Sequence, residues 1–155
     1  MYSNDLICDI LEYIDDFKYT KITIEDLEHR FFYNRYYIMK LFKKEIGVTI
    51  FDYINKLRIA SSLDEMDNSD SLLIKIAINN GFYSLEYFSE IFKKEIGVSP
   101  RKYRKLILNK YEQNSDLTKI TKNVINIKKT IEFANKYKQN RKRTVMPVKK
   151  LSIFG

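Results

Sequence analysis

Side chains that can bind nucleic acid recur between positions 34 and 43 at the three- and four-residue spacing of one helix face. They are Asn34, Arg35, Tyr36, Met39, Lys40 and Lys43. Lys40 can donate hydrogen bonds to O6 or N7 of guanine, and apolar atoms of Tyr36 and Met39 can contact a thymine methyl group. Arg35, Lys43 and the N-terminus of the helix suit phosphate oxygens. Such a face could contact double-stranded DNA; an ordinary solvated helix face is the alternative.

A second set of outward side chains occupies the equivalent face fifty positions later. It consists of Ser84, Leu85, Glu86, Ser89, Glu90 and Lys93. Carboxylates are unfavourable beside phosphates, yet Glu86 or Glu90 can accept a hydrogen bond from N4 of cytosine and so specify a C·G pair. Two interpretations stay open, because this face either reads cytosine or binds weakly while the first face dominates. Both predict that replacing Lys40 with alanine weakens binding more than replacing Glu90.

These two faces lie in two copies of one sequence unit. The segments 41–48 (LFKKEIGV) and 91–98 (IFKKEIGV) differ at a single position. The match extends to the pairs Phe32/Phe82, Tyr33/Tyr83, Tyr37/Tyr87, Ile38/Phe88 and Tyr53/Tyr103. Two copies are too few for a solenoid, which needs about three or more. Each copy reads as a short helix, a tight turn and a helix of about twelve residues, which is a helix-turn-helix unit.

The remaining pattern predicts an all-α chain, because it has only 4 glycines and 2 prolines. Helices are expected at about 3–17, at 24–31 after the N-cap Thr23 with its capping-box partner Asp26, at 34–46, at about 50–66, after about 71, at 84–96, and after Ser99-Pro100. Residues 67–71 read as a loop in which Asp70 or Ser71 must cap the fifth helix. Gly47 and Gly97 end the third and sixth helices. Tyr37 and Tyr87 are expected to pack against the cores of the two units.

Charge is distributed unevenly along the chain, although the net value is +8. Residues 1–30 carry three basic and eight acidic side chains, whereas residues 101–155 carry sixteen basic and three acidic ones. An anionic partner for the C-terminal part is one interpretation, and a solvated surface is the other. A single cysteine, Cys8, excludes an internal disulfide and reads as a buried thiol in a reducing cytoplasm. No apolar run predicts a membrane span, and no signal peptide is visible.

At this point the chain resembles the AraC/XylS family of transcription regulators. In the second unit the resemblance rests on Ile76-Ala77, Gly81-Phe82, Tyr87-Phe88-Ser89, Phe92-Lys93-Lys94, Gly97-Val98-Ser99-Pro100 and Tyr103-Arg104. The first unit carries the weaker pattern of residues 22–27, Leu41-Phe42-Lys43-Lys44 and Gly47. The match covers about residues 1–108, but Glu28 occupies a position where the family favours a small residue, and Leu72 one where a hydroxyl cap is common.

The resemblance implies seven helices in two helix-turn-helix subdomains, at about 24–46 and 71–96, joined by a long linker helix at about 50–66. It also implies that the third and sixth helices enter adjacent major-groove segments, which lie about 34 Å apart on one face of B-DNA. A linker of about 26 Å, at about 1.5 Å per residue, is stiff enough to set that spacing.

Residues 109–155 lie beyond the resemblance and form a basic extension. A helix is expected at about 116–138, capped by Ser115 or Asp116. A nearly heptad-spaced apolar seam lies at Leu117, Ile120, Val124, Ile127, Ile131 and Ala134. Three arrangements stay open: the helix packs back on the domain, forms a dimer seam, or stays partly disordered. The segment 136–143 (KYKQNRKR) is expected to bind phosphate backbones.

An enzyme is not expected, because His29 and Cys8 are the only histidine and cysteine and no glycine-rich phosphate loop occurs. No cofactor or metal is implied. The function expected is a cytoplasmic, sequence-specific DNA-binding transcription regulator, an activator like most of the family, with RNA polymerase as a further partner. The oligomeric state, monomer or dimer through the extension, is left open. The alternatives are a protein-interaction module built on the same core and a nonspecific nucleic-acid binder driven by the basic extension.

Overall fold

The computed structural model describes residues 3–109 and 115–151, with side chains placed for 5–109 and 115–142. This part of the chain forms eight α-helices and contains no strand, which confirms the all-α prediction. The helices are α1 (Ser3–Phe17), α2 (Ile24–Phe31), α3 (Arg35–Ile46), α4 (Ile50–Asn68), α5 (Leu73–Asn79), α6 (Leu85–Ile96), α7 (Pro100–Leu108) and α8 (Ser115–Leu151).

Local side-chain hydrogen bonds explain where most of the helices begin. At α2, Asp26 N donates to Thr23 Oγ1 over 3.2 Å and Thr23 N donates to Asp26 Oδ2 over 2.7 Å, which closes the predicted capping box. Asn34 caps α3 and Ser84 caps α6, each through its side-chain oxygen. Ser99 caps α7, and Pro100 follows at the first helical position.

The start of α5 differs from the prediction that Asp70 or Ser71 caps it. Leu72 holds the N-cap position and its side chain offers no capping hydrogen bond. The nearby hydroxyl of Ser69 instead serves the end of α4, because it donates to Glu65 O over 2.9 Å and accepts from Ser71 N over 3.4 Å. The predicted loop is also shorter, since α4 continues through Asn68.

Two hydrophobic cores lie side by side, and α4 belongs to both. The first core takes Ile50, Tyr53 and Ile54 from the N-terminal half of α4, together with residues of α1, α2 and α3. The second core takes Ile59, Leu63 and Met66 from the C-terminal half, together with residues of α5, α6 and α7. The linker helix α4 therefore packs in both subdomains. This packing fixes the position of one subdomain relative to the other.

The extension packs back on the domain, which is the first of the three arrangements that the sequence left open. Ala134 of α8 is buried in the first core, and Ile120 and Ile127 are buried in the second. The apolar seam is thus covered by α4, α1 and α6 of the same chain. The helix is longer than expected, because it starts at Ser115 and runs to Leu151 instead of ending near 138.

The basic segment of α8 meets the acidic face of α1. Arg141 Nε lies 2.8 Å from Asp5 Oδ1, and Arg141 Nη1 lies 3.2 Å from Asp9 Oδ1. Lys138 forms an ion pair with Asp15, and Lys142 Nζ approaches Glu12 Oε1 to 3.7 Å. The uneven charge along the sequence is therefore partly compensated within the chain. Sequence spacing could not reveal this pairing, because 123 or more residues separate the partners.

Candidate nucleic-acid interface

Helix α3 presents the predicted face to solvent. Its inward side chains, Ile38, Leu41, Phe42 and Ile46, are buried in the first core. Tyr36 is 76% exposed and Met39 is 43% exposed. Lys40, Lys43 and Asn34 are exposed as well. Because amino groups, a phenol ring and a thioether share one accessible helix face, the surface can offer hydrogen-bond donors and apolar contacts to a groove at the same time.

Arg35 lies at the edge of this face and is held by two carboxylates. Its Nη2 is 2.7 Å from Glu28 Oε2, and its Nη1 is 3.1 Å from Glu25 Oε1. The backbone N–H of Arg35 also donates to Glu28 Oε1 over 2.8 Å. The hydrogen bonds from the Arg35 side chain and backbone hold the pKa of Glu28 below its usual range. Arg35 therefore ties α2 to α3, and a phosphate would have to compete with Glu28 for it.

This role of Glu28 was not predicted from the sequence. Glu28 was noted there only because it occupies a position at which the family favours a small residue. The signal that could have found it is the opposite charge of residues 28 and 35 across a turn. The turn itself is tight, since Phe32 adopts a left-handed conformation with φ 59° while 91% exposed.

Helix α6 buries the equivalent side chains in the second subdomain, but the side chains that it exposes are different. Phe88, Ile91, Phe92 and Ile96 are buried. Glu86, Glu90 and Lys93 are exposed, whereas Ser84, Leu85 and Ser89 are half-buried. Leu85 packs against the second core, so little of its side chain is accessible to a binding partner. The accessible part of this predicted face is thus two carboxylates and one amino group.

Paired tyrosines flank the starts of α3 and α6. Tyr33 and Tyr37 stack with ring centroids 5.4 Å apart, and Tyr83 and Tyr87 stack at 4.7 Å. Tyr87 packs against the second core, as expected. Tyr37 differs from the expectation, because it is 45% exposed and its ring contact is with Tyr33. Both units therefore keep the stacked pair of tyrosine rings, but they differ in how deeply the second tyrosine is buried.

Contacts with α4 and α8 hold α3 and α6 in place. Lys56 Nζ of α4 lies 2.7 Å from Glu95 Oε2 of α6, and both side chains are largely buried. In the first subdomain the equivalent carboxylate, Glu45, accepts a hydrogen bond from Tyr137 Oη of α8 over 3.2 Å. Burial and the neighbouring Glu45 carboxylate raise the pKa of Tyr137, so its hydroxyl stays protonated as the donor.

The described residues give no sign of a metal centre or a membrane span. Among the side chains placed in the structure, no group of three or more histidine, cysteine, aspartate or glutamate residues is arranged to hold a metal ion. Cys8 is buried, as predicted. Within residues 3–109 and 115–151, no helix has the length and apolar character needed to cross a bilayer.

Comparison with known proteins agrees with this geometry. A family model described as a helix-turn-helix domain matches residues 27–106, which is more than half of the chain. The chain belongs to this AraC-type helix-turn-helix family, whose members are DNA-binding transcription regulators.

Three individual likenesses give the scale of the similarity. The chain is 35% identical over 66 residues to the transcriptional regulatory protein HptR of Staphylococcus aureus, which covers 43% of this chain and only 26% of that protein. A Listeria innocua protein of unknown function is 32% identical, with a TM-score of 0.60 over 63% of this chain and 93% of that one. The DNA-binding domain of AdpA, solved with a target DNA, shares the fold at 18% identity, with a TM-score of 0.62 over 70% of this chain and 97% of that one.

Proposed function

We propose that this chain is a sequence-specific, double-stranded DNA-binding transcription regulator that inserts α3 and α6 into adjacent major-groove segments. The observation that carries the proposal is the pair of capped, outward-facing helices held on one α4. Each helix has an exposed face beginning at its N-terminus, where a helix-turn-helix protein contacts base edges. Activation of transcription, with RNA polymerase as partner, is the regulatory outcome that family membership favours.

The charge of the two faces supports unequal roles for the helices. Lys40 and Lys43 of α3 favour a phosphate-rich surface and can donate to guanine. Glu86 and Glu90 of α6 oppose phosphate binding and can accept only from a base donor such as cytosine N4. The first subdomain therefore supplies most of the affinity, and the second contributes selectivity at a C·G pair.

The relatives support the same role through what their names state. HptR is named a transcriptional regulatory protein. The AdpA domain, which has the same fold, binds its target DNA. The chain spans about a quarter of HptR, with 26% of that protein covered, so the likeness concerns only part of that protein.

Selection of bound sequences from randomised duplex DNA, with the full chain at about 0.15 M salt, tests the proposal. The expected result is a motif with two blocks about one helical turn, or about 34 Å, apart. The full chain is the appropriate protein, because α8 contributes Ile120, Ile127 and Ala134 to the cores and its removal would expose both. A matched pair of variants is Lys40→Ala, which should weaken selection of the block assigned to α3, and Lys105→Ala on the exposed side of α7, which should keep both blocks.

Failure to enrich any sequence would overturn the proposal. The acidic surface of α6 would then favour the alternative, in which the helix-turn-helix core and the extension recruit a protein partner. Enrichment without sequence preference, together with a steep loss of binding as salt rises, would instead indicate a nonspecific binder that depends on basic side chains.

A further inference from the structure

A cavity of about 560 Å³ lies between the two subdomains. Most of its wall is aromatic or aliphatic and includes Phe51 and Ile54 of α4, Ile78 of α5, and the turn and start of the second unit at Phe82, Tyr83 and Tyr87. The α1–α2 loop, residues 19–22, forms the opposite wall. A concave, mainly apolar space of about 300–1,000 Å³ at a domain boundary is the usual form of a small-molecule site.

A buried guanidinium lies in the wall of this cavity without a carboxylate partner. Arg58 is 9% exposed, and its Nε and Nη2 donate to the carbonyl oxygens of Lys18 and Thr20 over 2.6 and 2.8 Å. Within the described part of the chain, Nη1 makes no hydrogen bond and no acidic side chain pairs with Arg58. By contrast, Arg35 and Arg141 each pair with two carboxylates. Burying a charge without a counter-ion is costly, and burial lowers the pKa of Arg58 accordingly.

A second buried polar group lies one helical turn away on the same wall. Asn55 is 8% exposed, lines the cavity, and has no hydrogen-bond partner among the residues that the structure describes. Among the described residues, Arg104 Nε is the only fully buried polar side-chain atom without a partner, so the amide of Asn55 is open to the cavity and available to an incoming ligand. Because residues three apart share a helix face, Asn55 and Arg58 present their polar groups to one region of the cavity.

We propose that this cavity binds a small organic anion with an aromatic body. A carboxylate would accept hydrogen bonds from Arg58 and Asn55 and supply the missing counter-charge, while the ring would pack among Phe51, Phe82 and Tyr83. Such a site is separate from the exposed faces of Lys40 and Glu90 and goes beyond DNA recognition. It would also be placed to influence recognition, because its opposite walls belong to different subdomains.

The two walls are in close contact where the cavity ends. A Cβ atom at Gly81 would lie 2.9 Å from the Cα atom of Tyr19, and Gly81 has a φ of +83°. The turn of the second unit therefore rests directly on the α1–α2 loop of the first. A ligand in the adjacent space could shift the relative placement of α3 and α6 only if it binds one placement more tightly than another.

The test uses backbone amide NMR of the full chain, without DNA, titrated with 2-naphthoate as the probe. We expect saturable one-to-one binding, with a Kd below about 1 mM and with the largest shifts at residues 19–22, 55, 58 and 81–83. The neutral isostere 2-naphthalenemethanol should bind at least about ten-fold more weakly, because it lacks the negative charge. Equal affinity for the alcohol, equal affinity for inorganic phosphate, or shifts that do not saturate would overturn the proposal.

Two variants test the position of the site without depending on Arg58, whose removal would also release the α1–α2 loop. Asn55→Ala removes the amide without adding bulk to the cavity wall, and should weaken 2-naphthoate about five-fold or more. Ile78→Trp places a large ring at the cavity wall and should block the probe. Ile74→Trp is the control, because Ile74 lies one turn earlier on α5, is also exposed, and does not line the cavity. Equal affinity of the Ile74 and Ile78 variants would overturn the assignment.

Discussion

The two sequence repeats fold into the same local structure and then use identical residues differently. Glu45 and Glu95 occupy equivalent positions, yet Glu95 pairs with Lys56 of α4 and Glu45 accepts from Tyr137 of α8. Gly47 and Gly97 end their helices with φ values of 91° and 97°. A Cβ atom at Gly47 would meet nothing within 4 Å, whereas one at Gly97 would lie 2.8 Å from Lys119 Cε. Local sequence thus determines the helix and its ends, and tertiary neighbours determine what each residue contributes.

The accessible faces of the repeats differ in the same way. Arg35 of the first repeat is held by Glu28, while Leu85 at the equivalent place of the second packs on the core. Lys40 is matched by Glu90. Duplication has therefore kept two helices in a fixed frame while their surfaces have become different, which is what reading two unlike blocks of DNA would require.

The largest effect is expected from the part of α8 that supports the second repeat. Ile127 is 2% exposed in the second core, so Ile127→Ala should lower the free energy of unfolding by about 2–5 kcal/mol. Urea denaturation followed by circular dichroism measures this loss. Ile125→Ala is the matched control, because Ile125 is 46% exposed on the same helix. Similar losses for both variants would mean that α8 is not part of the second core.

The next largest effect concerns the contrast between the recognition faces. Lys40→Ala should weaken binding to a selected DNA site by about 1–3 kcal/mol, because Lys40 is the proposed donor to guanine. Glu90→Ala should weaken it less, since removing a carboxylate also relieves repulsion from phosphates. Fluorescence anisotropy with labelled duplex at one fixed salt concentration measures both. Equal losses on the matched site would contradict the asymmetry between α3 and α6.

Much of the fold could be predicted from the sequence because it depends on local signals. The capping residues Thr23, Asn34, Ser84 and Ser99 and the terminating glycines act within a few positions, and they were identified correctly. Contacts between distant segments could not be predicted. The ion pairs between α1 and the end of α8 join opposite ends of the chain, and the counter-charge of Arg35 depends on how tightly α2 and α3 turn. The cavity beside Arg58 depends on two subdomains meeting, which no periodicity reveals.

A smaller effect should distinguish the ends of the two recognition helices. Gly47→Ala should cost about 1–2 kcal/mol, because an alanine is strained at positive φ. Gly97→Ala should cost more, since its Cβ atom would also displace Lys119 and approach Asn123 Nδ2 to 3.1 Å. Asn123 Nδ2 donates to Ile96 O over 2.8 Å, so that displacement would weaken a bond between α6 and α8. Thermal unfolding should therefore give a lower Tm for Gly97→Ala, and the reverse order would indicate that α8 does not press on the end of α6.

The smallest expected effect is a pH dependence that belongs to the first repeat alone. Hydrogen bonds from Arg35 lower the pKa of Glu28 from 4.5 in the folded chain, so the unfolded chain binds the proton more readily. The contribution of Glu28 to stability is therefore fully present above pH 4.5 and is lost as the pH falls through the lower, folded pKa. Glu28→Gln should flatten this part of the stability curve, measured as the urea midpoint between about pH 3 and 7. Asp64→Asn removes an exposed carboxylate of α4 that makes no ion pair within the described residues, and it should leave the slope nearly unchanged. If both variants flattened the curve equally, the link between α2 and α3 would contribute no more than general surface charge, and the first recognition helix would be free to give Arg35 to a phosphate.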